Sequence, residues 1–234
     1  MHFKALATDF DGTLAADGVV SKAAIAALEN VRRSGRKLIL VTGRELGDLG
    51  KVFARFDLFD RIVAENGALI HRPASGETVT LAAPPPAAFV EFLARRGATP
   101  LAVGRVVVAT CEPYDRDMRE AISTLGLDLQ IIFNKGSVMA LPPGIDKASG
   151  LAAALTELAL DATHVVAIGD AENDQAFLGA CGCAVAVANA LPMLKADSHW
   201  VTDGARGDGF VELAERLVAT DLAGLARRGG TGKS

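Results

Sequence analysis

The chain has 234 residues, of which 50% are hydrophobic and 22% charged, and its formal net charge at pH 7 is −4. These values are typical of a globular protein with a sizeable core. No long run of lysine and arginine is present, so nucleic acid is not expected as a partner. The sequence contains no run of 18 or more apolar residues, so no membrane span is predicted. The chain opens directly on a predicted strand rather than on a signal peptide, and we expect a cytoplasmic protein.

Two carboxylates follow the first predicted strand. Asp9-Phe10-Asp11-Gly12-Thr13 ends an apolar run that starts at Phe3. Alternate residues of a strand share a face, so the side chains of Asp9 and Asp11 can point the same way. Two ionised carboxylates about 4 Å apart repel by about 4 kcal/mol at an effective dielectric constant of about 20, so the pair is costly unless it shares a metal or a proton. A surface turn of the form Asp-x-Asp-Gly is the alternative interpretation.

Buried strands alternate with helices along most of the chain. Ser21 and Gly35 are placed as the N-cap and the C-terminal glycine of the first predicted helix. Continuous apolar runs, typical of a parallel sheet covered on both faces, predict further strands at residues 37–41, 61–64, 164–168, 183–187 and 199–202. This alternation predicts an α/β fold with a doubly wound parallel sheet. In such sheets ligands bind at the carboxyl ends of the strands, where Asp9, Thr42 and Asp170 lie.

Residues 72–143 have a different character and predict a smaller inserted α+β domain, here called the cap. The predicted core then comprises residues 1–71 and 144–226. Pro84-Pro85-Pro86 lies within the insertion, and Pro142-Pro143-Gly144 marks the return to the core. The elements expected in this region are a hairpin at 69–81, helices at 87–96 and 113–125, and strands at 105–110, 129–133 and 137–141. A domain of this kind can cover a pocket.

Residues 227–234 predict a disordered tail. They end in Gly-Lys-Ser, as a phosphate-binding loop does, but Arg227 stands where that loop has its first glycine, and no strand precedes the segment.

Four short motifs occur in a characteristic order. They are Asp9-x-Asp11-Gly12-Thr13, Thr42-Gly43-Arg44, Lys147 at the start of a predicted helix, and Gly169-Asp170-Ala171-Glu172-Asn173-Asp174. Together they resemble the haloacid dehalogenase-like (HAD) phosphohydrolases, and the resemblance spans nearly the whole chain. Glu65-Asn66-Gly67-Ala68 and the position of the cap are similar to the Cof-type group. That group includes sucrose-phosphate, mannosyl-3-phosphoglycerate and archaeal phosphoglycolate phosphatases.

The resemblance implies a Mg²⁺-dependent phosphomonoester hydrolase with a Rossmann-like core. Asp9 would be the nucleophile that forms an aspartyl-phosphate, and Asp11 would be the acid for the leaving group and then the base for water. Mg²⁺ would be held by the side chains of Asp9, Asp170 and Asp174 and by the backbone carbonyl of Asp11, an all-oxygen set that suits this ion. The residues implied in phosphate binding are Gly12, Thr42, Gly43, Lys147 and Asn173.

The expected substrate is a small phosphorylated metabolite, such as a sugar phosphate or phosphoglycolate. Several cap side chains could meet it, although solvated helix faces explain most of them: Arg95, Arg96, Arg105, Tyr114, Arg116 and Arg119. A phosphosugar mutase would use the same aspartyl-phosphate chemistry and is one alternative. A phospho-accepting signalling module, which also clusters aspartates, a threonine and a lysine around Mg²⁺, is an alternative of a different class. The sequence predicts no oligomeric state.

Overall fold

The computed structural model describes residues 1–225, so the predicted tail at 227–234 lies outside the described residues. The strands, in chain order, are β1 (Ala5–Asp9), β2 (Lys37–Val41), β3 (Arg61–Ala64), β4 (Leu69–Arg72), β5 (Glu77–Thr80), β6 (Ala102–Val103), β7 (Val108–Cys111), β8 (Gln130–Asn134), β9 (Ser137–Leu141), β10 (Val165–Gly169), β11 (Cys183–Ala186) and β12 (Trp200–Val201). The helices are α1 (Lys22–Arg33), α2 (Leu46–Val52), α3 (Ala87–Arg95), α4 (Asp115–Thr124), α5 (Lys147–Glu157), α6 (Gln175–Ala180), α7 (Pro192–Asp197) and α8 (Arg206–Thr220). None of the helices within residues 1–225 is both long and apolar enough to cross a bilayer.

Eight strands form one large sheet, in the order β12-β11-β10-β1-β2-β3-β4-β5. The strands from β12 to β3 are parallel, and β4 and β5 are added antiparallel at one edge. From β1 the chain moves outward through β2 and β3, and it later returns to the other side of β1 through β10 and moves outward to β12. Right-handed crossovers in opposite directions place their helices on opposite faces of the sheet. The predicted α/β fold with a doubly wound sheet is therefore confirmed.

Local sequence explains where the helices beside the site begin. Ser21 caps α1 by accepting a hydrogen bond from the backbone N–H of Ala24 at 3.1 Å. Asp146 and Ser149 form a reciprocal capping box at the start of α5. That box fixes the first turn of α5, whose first residue is Lys147. The central strands β1 and β10 are buried along their whole length, which explains their continuous apolar character.

The second, smaller sheet has the order β6-β7-β9-β8 and is antiparallel throughout. Helices α3 and α4 pack beside it and bury Phe89, Leu93 and Met118 against Val138 in a separate apolar cluster. The predicted strands and helices of the cap are present, with bounds that differ by a few residues, and β6 is a short addition that the sequence did not indicate.

The hairpin β4–β5 belongs to the large sheet, which corrects its predicted place in the insertion. Ile70 of β4 pairs with Val63 of β3, and β5 continues the same sheet beyond β4. The predicted boundary at residue 72 therefore divides a hairpin. Local composition, with Pro73 and Gly76 in the turn, signals the hairpin but not the sheet that it joins. We propose that the cap consists of the elements from α3 to β9.

Candidate active site

Three buried aspartates meet at the carboxyl edge of the large sheet. Asp9 is the last residue of β1, and Asp170 directly follows β10, the strand that pairs with β1. Asp174 lies one turn further along. One carboxylate oxygen of each residue lies within 4.8 Å of those of the other two. The parallel register of β1 and β10 thus brings together acids that are about 160 residues apart in the chain.

Lys147 lies between two of these acids. Its Nζ donates to Oδ1 of Asp9 at 2.6 Å and to Oδ1 of Asp174 at 2.5 Å, and the residue is 1% exposed. Burial acts to lower the pKa of Lys147, but the carboxylates of Asp174 and Asp9 outweigh it, so the pKa is raised above the usual value. The ammonium therefore stays charged and partly neutralises the cluster.

The acids themselves are held in a costly environment. Burial, followed by the charge of Asp174, raises the pKa of Asp9 to about 8. Burial also raises the pKa of Asp170. One oxygen of that carboxylate, Oδ1, is buried without a hydrogen-bond partner in the described structure. A buried acceptor without a donor is costly, so this oxygen indicates a place for a cation or another donor.

Backbone amides fix the orientation of Asp174. The N–H groups of Asp170 and Ala171 donate to its Oδ2 at 2.8 and 3.0 Å. Gly169 makes this approach possible, because a Cβ there would lie 2.7 Å from the Asp174 side chain. The carboxylate thus receives backbone donors at one oxygen and the lysine ammonium at the other.

Asp11 is paired with Arg44. The guanidinium donates from Nε and Nη2 to the two carboxylate oxygens, both at 2.7 Å, and Asp11 keeps 45% of its side chain exposed. This hydrogen bond is the main reason why the pKa of Arg44 is raised. Asp11 thus lies at the mouth of the cluster, separate from the three buried acids.

Gly12 allows the first strand's loop to lie close to Asp170. Its φ is +84°, and a Cβ would lie 2.2 Å from Oδ2 of Asp170. Its N–H donates to the carbonyl of Ala15 at 3.0 Å, within its own turn. Gly12 therefore permits the close approach of Asp170, and its N–H bond stabilises the turn; its part in phosphate binding stays a prediction.

The other residues implied in phosphate binding lie around the same space. Thr42 follows β2 and accepts the backbone N–H of Arg44 at 3.1 Å, which leaves its hydroxyl proton to be donated elsewhere. Gly43 and Asn173 both line the cavity above the acids. The amide of Asn173 donates to Oδ1 of Asn66 at 2.9 Å, so a residue of the Glu65-Asn66-Gly67 turn also reaches the site.

The cavity has a volume of about 270 Å³ and lies between the sheet edge and the cap. The cap contributes four of its lining residues: Ala109, Asn134, Ser137 and Met139. None of the six cap residues proposed from the sequence is among the lining residues of this cavity. A larger groove of about 450 Å³ lies between α1 and α8, but the described residues that line it include a single acid, Glu215. The smaller cavity is the better candidate for the active site because the cluster of acids and Lys147 lies there.

Sequence reasoning missed three side chains of the site. Lys135, in the turn between β8 and β9, contacts Oδ2 of Asp170 through its ammonium. Asn189 donates to the same oxygen at 3.2 Å and to the carbonyl of Gly12 at 2.9 Å. Asn66 has a positive φ of 55° at the end of β3, and its Glu-Asn-Gly sequence was the only signal of a special backbone position.

Comparison with known proteins identifies the family. The family model of haloacid dehalogenase-like hydrolases matches residues 6–95 and 104–213, which is most of the chain. The chain belongs to the haloacid dehalogenase-like hydrolases. The resemblance stated from the motifs is confirmed, and the matched residues of this hydrolase include all the residues predicted for catalysis, metal binding and phosphate binding.

Curated relatives of this hydrolase are named phosphoglycolate phosphatase. The relative from Methanothermobacter thermautotrophicus is 29% identical over 224 residues, which cover 92% of this chain and 99% of that protein. A relative from Haloarcula marismortui is 44% identical over 70 residues, or 30% of this chain and 31% of that protein. The family and these names support the predicted phosphatase class.

Solved structures share the fold. A Thermoplasma acidophilum protein is 20% identical with a TM-score of 0.77, over 92% of this chain and 98% of that one. A sugar phosphatase of HAD subclass IIB is 19% identical with a TM-score of 0.73, over 92% of this chain and 98% of that one. At these identities the likeness establishes the HAD fold for this hydrolase.

Proposed function

We propose that this hydrolase is a Mg²⁺-dependent phosphomonoesterase that acts through an aspartyl-phosphate on a small phosphorylated metabolite. The observation that carries the proposal is the buried group of Asp9, Asp170 and Asp174 with Lys147 between two of its members. A buried cluster with more acids than bases is costly unless a further cation joins it. Phosphoryl transfer also needs such cations, since positive charge must surround a phosphoryl group that carries several negative charges.

The donor set fits a hard divalent cation. The three carboxylates offer only oxygen ligands, and Oδ1 of Asp170 is a buried acceptor without a partner. Asp9, Asp170 and Asp174 would hold Mg²⁺, with the backbone carbonyl of Asp11 as a further proposed ligand. When bound, the ion would neutralise the phosphoryl oxygens and keep the carboxylates ionised.

Asp9 is the proposed nucleophile. One of its carboxylate oxygens attacks phosphorus, the bond from phosphorus to the ester oxygen breaks, and the leaving oxygen takes a proton from Asp11. Lys147 keeps Asp9 oriented and stabilises its ionised form. In the second step Asp11 accepts a proton from water as the water oxygen attacks phosphorus, and the bond from phosphorus to the Asp9 oxygen breaks, which releases phosphate and restores the Asp9 carboxylate. Gly43 and Asn173 line the space in which the phosphoryl oxygens would lie, and Thr42 directly precedes Gly43.

The pairing of Asp11 with Arg44 bears on these two steps. The guanidinium of Arg44 donates to both oxygens of the Asp11 carboxylate, one of which must carry the proton in the acid step. The acid step requires Asp11 to hold a proton. We infer that the substrate's phosphate draws Arg44 away from Asp11 in the first step, since a phosphoryl group offers the same bidentate acceptor geometry.

The named relatives make phosphoglycolate the first substrate to test. Phosphate release from 2-phosphoglycolate is measured with Mg²⁺ and with EDTA, for the wild type, Asp9→Asn and Asp128→Asn. The last variant changes an exposed aspartate of the cap and serves as a matched control. We expect Mg²⁺-dependent release that Asp9→Asn abolishes and the control retains. Retained turnover in Asp9→Asn would place the nucleophile elsewhere, and failure to hydrolyse any member of a panel of phosphate esters would refute the proposed function.

A further inference from the structure

Lys135 joins the cap to the acid cluster. It lies in the turn between β8 and β9 with a φ of +48°, and its ammonium contacts Oδ2 of Asp170. Its side chain is 43% exposed, whereas Asp170 is fully buried. The neighbouring residues Asn134 and Ser137 line the cavity, so the turn forms part of the cavity roof. A cap residue thus supplies positive charge to one of the three acids proposed to hold the metal.

A divalent cation at the free Oδ1 of Asp170 would act against this contact through charge repulsion, although Lys135 contacts the other oxygen. Oδ2 of Asp170 already accepts from Lys135 and from Asn189, and the ammonium lies at the edge of the acid cluster. A cation bound among the same acids would repel the ammonium at short range, where solvent screens poorly. The lysine has a flexible four-carbon stem and is partly exposed, so it can leave Asp170 while the backbone of the turn stays in place.

The exposed carboxylate of Glu172, whose Oε2 accepts the Lys135 backbone N–H at 3.4 Å, and a bound ligand are two places that the displaced ammonium can reach. Of the other two cations beside the cavity, Lys147 is held by the buried acids, and Arg44 is paired with Asp11 and is proposed above to bind the phosphate group. The cap side chains that line the cavity are uncharged: one methyl, one amide, one hydroxyl and one thioether. Lys135 does not line the cavity itself, but among the described residues it is the cap cation whose ion pair reaches a lining residue, Asp170. It is therefore the cap cation best placed to meet the leaving-group end of a bound phosphate ester.

We propose that Lys135 determines leaving-group specificity: a divalent cation releases its ammonium from Asp170, and the freed ammonium binds a carboxylate on a small phosphorylated acid. The inference rests on the proposed metal and phosphate sites. The cavity of about 270 Å³ suits a compact ester of this kind. Oδ1 of Asn134, which is buried without a partner, lies in the same roof and can accept a hydrogen bond from the ligand or from bound water.

Metal binding without substrate tests the first half. Calorimetric titration with Mn²⁺ compares the wild type, Lys135→Met and Arg119→Met. Arg119 is a matched control, because its guanidinium lies over the Phe133 ring and outside the cavity lining. We expect Lys135→Met to bind Mn²⁺ at least about fivefold more tightly than the wild type, since a competing cation is removed, and Arg119→Met to match the wild type. Unchanged or weaker affinity in Lys135→Met would overturn the displacement step.

Ligand binding tests the second half without requiring turnover. The probes are 3-phosphonopropionate, an inert analogue of phosphoglycolate, and propylphosphonate, which has the same chain length but no carboxylate. In the Mg²⁺-loaded wild type and in Arg119→Met we expect the carboxylated probe to bind at least about tenfold more tightly, and we expect Lys135→Met to lose most of that preference. A preference that survives in Lys135→Met, or a wild type that shows none, would overturn the proposal. A wild type that prefers the carboxylated probe but releases phosphate from no member of the ester panel would refute hydrolysis and leave the role of Lys135 intact.

Discussion

Replacing Asp9 with asparagine is expected to stabilise the metal-free protein while abolishing turnover. Burial and the charge of Asp174 raise the pKa of Asp9 from 3.8 to about 8. An unfolded chain loses this proton near pH 3.8, and the folded chain loses it near pH 8. Between these values the folded state binds more protons than the unfolded state, so the free energy of unfolding falls as the pH rises through this window.

The size of the effect follows from that pKa difference. Each pKa unit corresponds to about 1.4 kcal/mol. A difference of about 4 therefore limits the loss in free energy of unfolding that ionisation of Asp9 causes at pH 8 to about 5–6 kcal/mol. Asparagine removes the buried charge but also leaves Lys147 with one carboxylate partner instead of two, which offsets part of the gain. We therefore expect Asp9→Asn to raise the free energy of unfolding by about 1–3 kcal/mol at pH 8, and by less at pH 5, where Asp9 keeps its proton.

Urea unfolding followed by circular dichroism, with EDTA at pH 5 and pH 8, measures both quantities. Asp128→Asn, which changes an exposed carboxylate, should shift the stability by no more than about 0.5 kcal/mol at either pH. Added Mg²⁺ should stabilise the wild type more than Asp9→Asn, because a ligand stabilises the state that binds it. The reasoning is refuted if Asp9→Asn is less stable than the wild type at pH 8, or if its gain is the same at both pH values.

Three further changes test other parts of the site. Lys147→Met leaves two buried carboxylates without their shared cation, so we expect the free energy of unfolding, measured with urea at pH 8 with EDTA, to fall by about 3–5 kcal/mol. Adding Asp174→Asn to that variant should restore part of the loss, because it removes one of the two unpaired charges. Asp11→Asn should lower kcat for 2-phosphoglycolate by about 10²- to 10⁴-fold and lower it less for p-nitrophenyl phosphate, whose leaving group needs little protonation; equal losses would argue against an acid role. Glu65→Gln should lower the free energy of unfolding by about 1–3 kcal/mol, because three backbone N–H groups, at Val106 and its two neighbours, donate to the Glu65 carboxylate. The same change should speed amide hydrogen exchange at those three residues, and unchanged exchange would show that this contact does not hold the loop.

The large sheet and its acids could be predicted because each depends on a local pattern. The strands β2 and β3 have the predicted bounds, since a strand buried on both faces is a continuous apolar run that ends at the first polar residue. Asp9, Thr42 and Asp170 were brought together by a general property of parallel sheets, the shared edge at the strands' carboxyl ends. Knowledge of the detailed packing was not required for this part of the site.

The contacts that cross from the cap could not be predicted in this way. The sequence indicates a turn at Asn134-Lys135-Gly136, but whether Lys135 faces solvent or Asp170 depends on how two separately folded sheets meet. The hairpin β4–β5 was misplaced for the same reason, because a strand's pairing partner is set by tertiary structure. The engagement of the Gly12 N–H with Ala15 is likewise a property of the folded turn.

Two contacts between cap and core differ in what could break them. The carboxylate of Glu65 accepts three backbone N–H groups, from Arg105, Val106 and Val107, at 2.8–2.9 Å. Glu65 is buried and separate from the three acids that would bind a cation, and Gly104 leaves room for its carboxyl group, since a Cβ there would lie 2.6 Å away. A cation that displaces Lys135 therefore leaves this attachment in place. It follows that release of Lys135 requires movement of its side chain only, beneath a cap that the hydrogen bonds of Glu65 keep attached to the core.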